Sequence, residues 1–435
     1  MPFPSLDDWT VRNVLVLILS LAWTTSLLGQ STSTTASTAP TEMRVSIITI
    51  GPGDAVWEKF GHNMLRIQIP SRNIDYSFNW GLFEFDDHFI ARFLQGKLIY
   101  SMAPFPTNEA MEEYTRADRE VWEQELNLSL AQKRNLLEFC AWNYEPANQK
   151  YRYDYYRDNC STRVRDAVDL AVAGQIKAQA STQPSDATYR TETNRLMAGD
   201  LLTYTGLYYI LGHPVDQPIS AWDEMFIPMR MRVRLNQMTI KDESGKLIPL
   251  VKSQVQLHKS SRTPPPDVPP NFLWLFLLLG VVIGGAEAGL VGAKKRLGRW
   301  SFAIVAMFWS LLSAFGGWFM LYAFTTDHQA VRYNENILQL SPLLLPLVFV
   351  IPLALSRRPK AGQIAWVLSA IALVASVLGL LLKVLPMMYQ TNANIIALAI
   401  PANAGLAYAA WRLSKLPPRQ VELNVQAKKS PMKGH

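Results

Sequence analysis

The feature that most limits this chain is a run of long apolar segments whose connecting loops differ in charge. The segments fall at about 272–292, 301–324, 338–355, 363–388 and 393–412. Each is near the ~20 residues that carry a helix across ~30 Å of hydrocarbon. The 338–355 segment holds Pro342, Pro346 and Pro352, so it has the poorest claim to a continuous helix. The loops "AKKRLGR" (293–299) and "SRRPKAG" (356–362) are basic, and so is the tail after Trp411. The loops "TTDHQAVRYNEN" and "YQTNAN" are not. Basic loops stay in the cytoplasm. That places the C-terminus there and leaves residues 43–270 outside it.

The expected organisation follows from where apolar residues concentrate. Of 435 residues, 49% are hydrophobic and 18% charged, which requires at least one membrane domain beside a water-facing one. Residues 1–29 hold the run "VLVLILSLAWTTSLL" and read as a cleaved signal peptide or an uncleaved N-terminal anchor. Residues 30–42 are a Ser/Thr-rich linker. Residues 43–259 form the outer domain, 260–270 a Pro-rich linker, 271–413 a domain of five membrane helices and 414–435 a basic cytoplasmic tail. The net charge of +7 is largely explained by the cytoplasmic loops. The outer domain has no basic stripe with interleaved aromatics, so nucleic acid is not an expected partner.

In the outer domain, "MRVSIITIGPG", "GHNMLRIQI" and "IDYSFNWGLFEF" read as strands, the last two joined by the turn "PSRN". Residues 108–118, 129–143 and the stretch from Asn159 carry helical spacing. "MRVRLNQMTI" and "KLIPLVKSQVQL" flank "KDESG" as a hairpin.

The chemistry centres on two cysteines. Cys140, in "LLEFCAWN", lies on the apolar side of a helix. Cys160, in "YDYYRDNCSTRVRDAVD", opens a helix, where backbone N–H groups and the dipole favour a thiolate. Arg163 and Arg165 add charge nearby and are candidates to tune the thiolate or to bind a substrate phosphate, or else face solvent. A nucleophile is the preferred reading; a disulfide with Cys140 and an inert thiol are the alternatives. The base must be a histidine. His258 borders the linker, His213 lies in a Gly-Pro turn, and His88 follows "EFDD". His62 opens a strand and shares a face with Met64, Arg66 and Gln68, so it is preferred. A symmetric "PSRN" turn would set Met64 opposite Asn79, letting the Asn79 amide oxygen accept a hydrogen bond from the His62 Nδ1–H; Asp75 and Tyr76 are reserves. Asn159 is a possible oxyanion donor. His328, Asn334 and Asn336, in the loop between the second and third segments, are candidates to line a headgroup or substrate path, or else belong to a solvated loop. Glu287, inside the first segment, is a functional suspect or reaches water at the segment's end. Lys383 is expected to snorkel outward. No Walker A, HExxH or CxxC motif and no close Cys/His cluster occurs, so no metal and no cofactor is expected.

A strand-borne His, then a polar strand residue, then a helix-start Cys reverses the papain order and resembles circularly permuted papain-like enzymes of the NlpC superfamily. More closely, "FGHNMLRI", "FNWGLFEF" and "YRYDYYRDNCSTRVRD" resemble the Lnb family of bacterial lipoprotein N-acyltransferases. The resemblance implies an α+β, permuted papain-like (NlpC-superfamily-like) periplasmic domain followed by an all-α membrane domain, in the bacterial inner membrane. It puts the family's Cys and His on Cys160 and His62. It also implies the reaction: a membrane phospholipid donates an acyl chain and the α-amine of a diacylglyceryl-cysteine lipoprotein accepts it. Within the same superfamily, a cell-wall peptidase or amidase and a phospholipase are the rival enzymes. A non-catalytic membrane-anchored binding or sensor module is the rival of another class.

Overall fold

The computed structural model describes residues 42–84 and 86–417. The sequence expectations for residues 1–41 and 418–435 lie outside the described residues. The chain divides into two compact units. The first runs to Pro270 and includes Thr325–Ala330; the second comprises Asn271–Phe324 and the chain from Val331 onward.

The first unit is built on a seven-stranded sheet. Its strands are β1 (Arg44–Ile50), β2 (His62–Ile69), β3 (Ile74–Leu82), β4 (Ile99–Pro106), β5 (Val121–Leu126) and β6 (Lys150–Arg152). Strands β7 (Pro184–Thr188) and β8 (Pro218–Ser220) form a separate pair, as do β9 (Thr239–Lys241) and β10 (Leu247–Pro249). β11 (Val251–His258) completes the large sheet, whose order is β11-β5-β1-β2-β3-β4-β6 with every pairing antiparallel.

Both faces of its centre are covered, so β1 reads as a nearly continuous apolar run, whereas β2 sets His62, Arg66 and Gln68 between apolar residues. On one face lie Val45, Ile47, Leu65, Ile67, Phe78 and Trp80. On the other lie Ile48, Ile50 and Met64. Between these strands run helices α1 (Phe89–Gln95), α2 (Thr107–Arg116), α3 (Leu130–Tyr144) and α4 (Cys160–Ala171). α2 sets Ala110 on the Met64 face, with Met111 and Tyr114 packed alongside. α4 buries Val164, Ala167 and Val168 in the opposite core, beside Cys140 of α3. Burying side chains of Val or Leu size contributes ~1.5–3 kcal/mol each. The remaining helices of this unit are α5 (Gln175–Ala180), α6 (Tyr189–Leu196), α7 (Leu201–Ile210), α8 (Ala221–Glu224) and α9 (Pro228–Asn236).

α9 corrects the sequence reading. "MRVRLN" continues a helix that Pro228 opens, because Met231 and Leu235, four apart, both enter the core. The expected hairpin shrinks to β9 and β10 around "DESGK". The start of the Pro-rich segment is strapped down: Arg262 donates to the carbonyls of Asp118 and Ala117 and pairs with Asp54.

The second unit is helical. α10 (Leu273–Leu290), α11 (Arg296–Ala323), α13 (Pro359–Leu381) and α14 (Ala393–Ser414) are long and apolar enough to cross a membrane. α12 (Leu347–Leu355) and the turns before it, Glu335–Leu344, make a fifth candidate that is bent by 50°. The prolines explain the break: Pro342 opens a 3₁₀ turn, Pro346 caps α12 and Pro352 lies inside it.

Candidate active site

His62 is the first residue of β2, and Gly61 before it sets its entry. Gly61 has φ of +83°, and a Cβ there would lie 2.6 Å from the Ile50 carbonyl oxygen. Only glycine accepts both conditions. β3 carries the matching device. Gly81, φ +93°, sits at a register shift between Trp80 and Leu82 and brings the strand against Cys160 Cβ at 3.5 Å from an ideal Gly81 Cβ. The β2–β3 register places Met64 opposite Asn79 and Ile69 opposite Ile74. Asn79 therefore shares the His62 face.

Cys160 occupies the first turn of α4. Asn159 caps that helix: its Oδ1 accepts from the Thr162 N–H at 2.9 Å, and its own N–H donates to the Thr162 hydroxyl at 2.7 Å. The Cys160 thiol and the His62 imidazole are hydrogen-bonded to each other. His62 Nε2 donates to Asn79 Oδ1 at 2.7 Å. The amide thus holds Nε2, not the Nδ1 expected from the sequence, which leaves Nδ1 as the ring nitrogen for the thiol. Backbone N–H groups of Asn63 and Ser161 also donate to the thiol sulfur.

These contacts polarise the pair. Burial raises the Cys160 thiol, but the facing imidazole and the donors from His62, Asn63 and Ser161 outweigh it and bring the thiol below its ordinary value. Burial likewise lowers His62. The charge and hydrogen bond of Cys160, with the Asn79 bond, overcome that, and the imidazole is raised. Cys140 is the opposite case. It is fully buried and burial alone drives its thiol far up; neither cysteine is in a disulfide.

Several candidates from the sequence are otherwise engaged. Asn159 gives both amide hydrogens to the carbonyls of Tyr155 and Phe226, each at 3.0 Å, so it has none left for an oxyanion. Arg163 pairs with Asp158 and lies 4.0 Å over the Tyr151 ring. Arg165 is buried against Trp222, 3.7 Å over its ring, and bonded to Asp166. Asp75, a reserve for Asn79, is held by two hydrogen bonds from Arg66. His328 Nε2 donates to Phe93 O, 2.7 Å away, on α1.

In the second unit, Asn334 and Asn336 do not line a solvated loop. Both are buried and bonded to Gln390 and Asn392 respectively. Lys383 does not snorkel outward; it turns inward to Glu335 and to Gln390 O. Glu287 does not reach water: it is fully buried, with neither carboxyl oxygen hydrogen-bonded.

Two residues near the pair escaped the sequence reading. Tyr114 of α2 lies 6.2 Å from the His62 ring, centroid to centroid. Arg119, just before β5, is buried, donates to Gly51 O at 3.0 Å and sits 5.2 Å from the Tyr114 ring. Its positive charge opposes protonation of His62. "RADRE" reads as a solvated charge cluster, and nothing local separates Arg119 from its neighbours. Among the described residues, no group of His, Cys, Asp and Glu is arranged to hold a metal.

A helix-start thiol, a strand imidazole and an amide on one antiparallel sheet, in a chain with four to five candidate membrane helices, define a multi-pass membrane protein bearing a Cys-His α/β domain. Residues 30–195 match the family model of the Lnb N-terminal periplasmic domain, a stretch that includes His62, Asn79 and Cys160. That likeness covers the periplasmic part of the Lnb family, the same family that the sequence motifs resemble. No curated protein and no solved structure matches the chain.

Proposed function

We propose that the protein is a lipoprotein N-acyltransferase whose permuted papain-like domain works by a Cys160 thioester. The observation that carries this reading is the polarised Cys160–His62 pair, with His62 oriented by Asn79, in an Lnb domain joined to apolar helices. Outside the cytoplasm no acyl-CoA is at hand, so a membrane phospholipid is the donor. The thiolate attacks the ester carbonyl carbon and the carbonyl π pair moves to oxygen. The N–H of Cys160, free of an intrahelical acceptor at a helix start, is the donor assigned to that oxyanion. The C–O bond then breaks, and the His62 imidazolium protonates the departing glycerol oxygen. In the second half, the lipoprotein α-amine attacks the thioester, His62 accepts its proton, and the C–S bond breaks to give the amide and free thiolate. The domain boundaries expected from the sequence, with the catalytic domain periplasmic and the C-terminus cytoplasmic, belong to the same proposal.

The test is to trap the acyl-enzyme. Full-length protein in phospholipid nanodiscs is expected to gain one acyl mass on Cys160. That mass should be released by hydroxylamine and passed to a diacylglyceryl-cysteine peptide as an amide. Cys160→Ala should abolish both. Free fatty acid without any amide would make the protein a phospholipase instead, and cleavage of a cell-wall peptide without acyl capture would make it a peptidase.

A further inference from the structure

α1 is unusual in the first unit because none of its residues is buried. Ile90, Leu94 and Phe93 are 64%, 44% and 39% exposed. A single exposed apolar side chain needs no explanation, but three on one short helix do. α1 is also not isolated. A file of rings runs from it to the thiol: Phe93 to Phe89 at 6.1 Å, Phe89 to Phe83 at 5.5 Å, Phe83 to Tyr100 at 5.1 Å and Tyr100 to Tyr153 at 4.2 Å, all stacked. Tyr153 and Cys160 both lie within 4.0 Å of an ideal Gly81 Cβ. Phe83, Phe89, Tyr100 and Tyr153 are half-buried, so the file is a surface strip rather than closed core.

Two further observations say what covers it. Residues 325–330 clamp α1: the Asp327 N–H donates to Gln95 O at 2.9 Å, and Asp327 pairs with Arg152 at 3.1 Å. That segment begins one residue after Phe324, the C-cap of the apolar helix α11. Asp327 is thus three residues along the chain from the C-cap of a membrane-length helix. Lys97, exposed two residues past the end of α1, is a cation that suits a layer of lipid phosphates, whereas Arg92 is paired with Asp86 at 2.9 Å.

We infer that α1 enters the outer lipid leaflet through Ile90, Phe93 and Leu94, and that the ring file behind it guides a lipid acyl chain to Cys160. The inference rests on the acyl-transfer reading for the fate of the chain, but not for contact with lipid.

Two measurements on full-length protein in vesicles of phosphatidylethanolamine and phosphatidylglycerol test it. Nitroxides are placed by Ile90→Cys, Leu94→Cys and, as an aqueous control, Glu112→Cys, each in a Cys160→Ser background. The oxygen-to-nickel-chelate collision ratio is expected to be several-fold higher at 90 and 94 than at 112. Ratios equal to that at 112 would overturn the inference. Phosphatidylethanolamine with a mid-chain diazirine is then photolysed on the Cys160→Ser protein, with crosslinks expected between Phe83 and Tyr100. Crosslinks confined to residues 273–414 would overturn it, as would labelling of 83–100 only from the peptide part of a lipopeptide. Thioester on the unsubstituted protein is scored in the same vesicles. Lipid contact without thioester sinks acyl transfer alone, whereas thioester with aqueous readings at α1 sinks the acyl track alone.

Discussion

Asn79 and Arg119 act on the same imidazole with opposite sign. The Asn79 bond favours imidazolium, and the Arg119 charge disfavours it. Carboxymethylation of Cys160 by iodoacetate reads that balance without any knowledge of the substrate. The anionic reagent needs a thiolate and is drawn by the imidazolium beside it. Its rate therefore rises as pH passes the Cys160 value, which lies below an ordinary thiol, and falls as pH passes the His62 value, which lies above an ordinary imidazole. Asn79→Ala removes a contact that raises His62, so the alkaline limb is expected to move to lower pH. Arg119→Met removes a charge that lowers it, so that limb is expected to move to higher pH. The acid limb should move less in both. Shifts of the alkaline limb in the same direction would refute this account of how the pair is poised.

At the scale of the element, the site depends on how β2 is entered. Gly61→Ala meets two penalties: a positive φ, ~1–2 kcal/mol for an L-residue, and a Cβ 2.6 Å from Ile50 O. Gly174→Ala meets only the first, since nothing lies within 4 Å of that position at φ +79°. Gly61→Ala is therefore expected to lower the thermal midpoint further than Gly174→Ala and to slow Cys160 carboxymethylation at least tenfold, while Gly174→Ala leaves that rate unchanged. Equal effects on the rate would show that β2 entry does not place His62. The β2–β3 hairpin was legible in the sequence for a physical reason: strand alternation and a symmetric turn fix a register, and the structure has Met64 opposite Asn79 as expected. α4 was legible because Asn159, Thr162, Val164 and Val168 supply a cap and an apolar face together. α9 was not, because Met231, Val233 and Leu235 satisfy both alternation and helical spacing, and only the core contacts of Met231 and Leu235 decide. α1 was not, because an element without buried residues leaves no periodic signature. Arg119 joins the site through the β1–β5 pairing, a contact between segments about seventy residues apart that no local pattern encodes.

At the scale of the molecule, the second unit is held by polar contacts as well as apolar ones. Glu335 pairs with Lys383 and accepts from the Gln390 N–H at 3.1 Å; Gln390 in turn donates to Asn334, and Asn392 to Asn336. Asn403 bridges Ser376, at 2.8 Å, and Trp309, at 2.9 Å. In hydrocarbon, or at its edge, such groups have no water to fall back on. Breaking a buried ion pair from one side strands a charge and costs ~3–5 kcal/mol, whereas replacing both partners with apolar groups of similar size is close to neutral. Lys383→Met is therefore expected to lower the unfolding midpoint of the detergent-purified protein sharply. Adding Glu335→Leu should recover most of the loss, even though the double variant has fewer polar contacts than the single one. If the double variant is less stable than Lys383→Met, Glu335 is needed for its bonds to Gln390 rather than for its charge. The groups that poise His62, namely Cys160, Asn79 and Arg119, all lie in the first unit. The iodoacetate profile of Cys160 should accordingly stay unshifted in both variants below their midpoints, which separates a loss of membrane-unit stability from a loss of the thiolate.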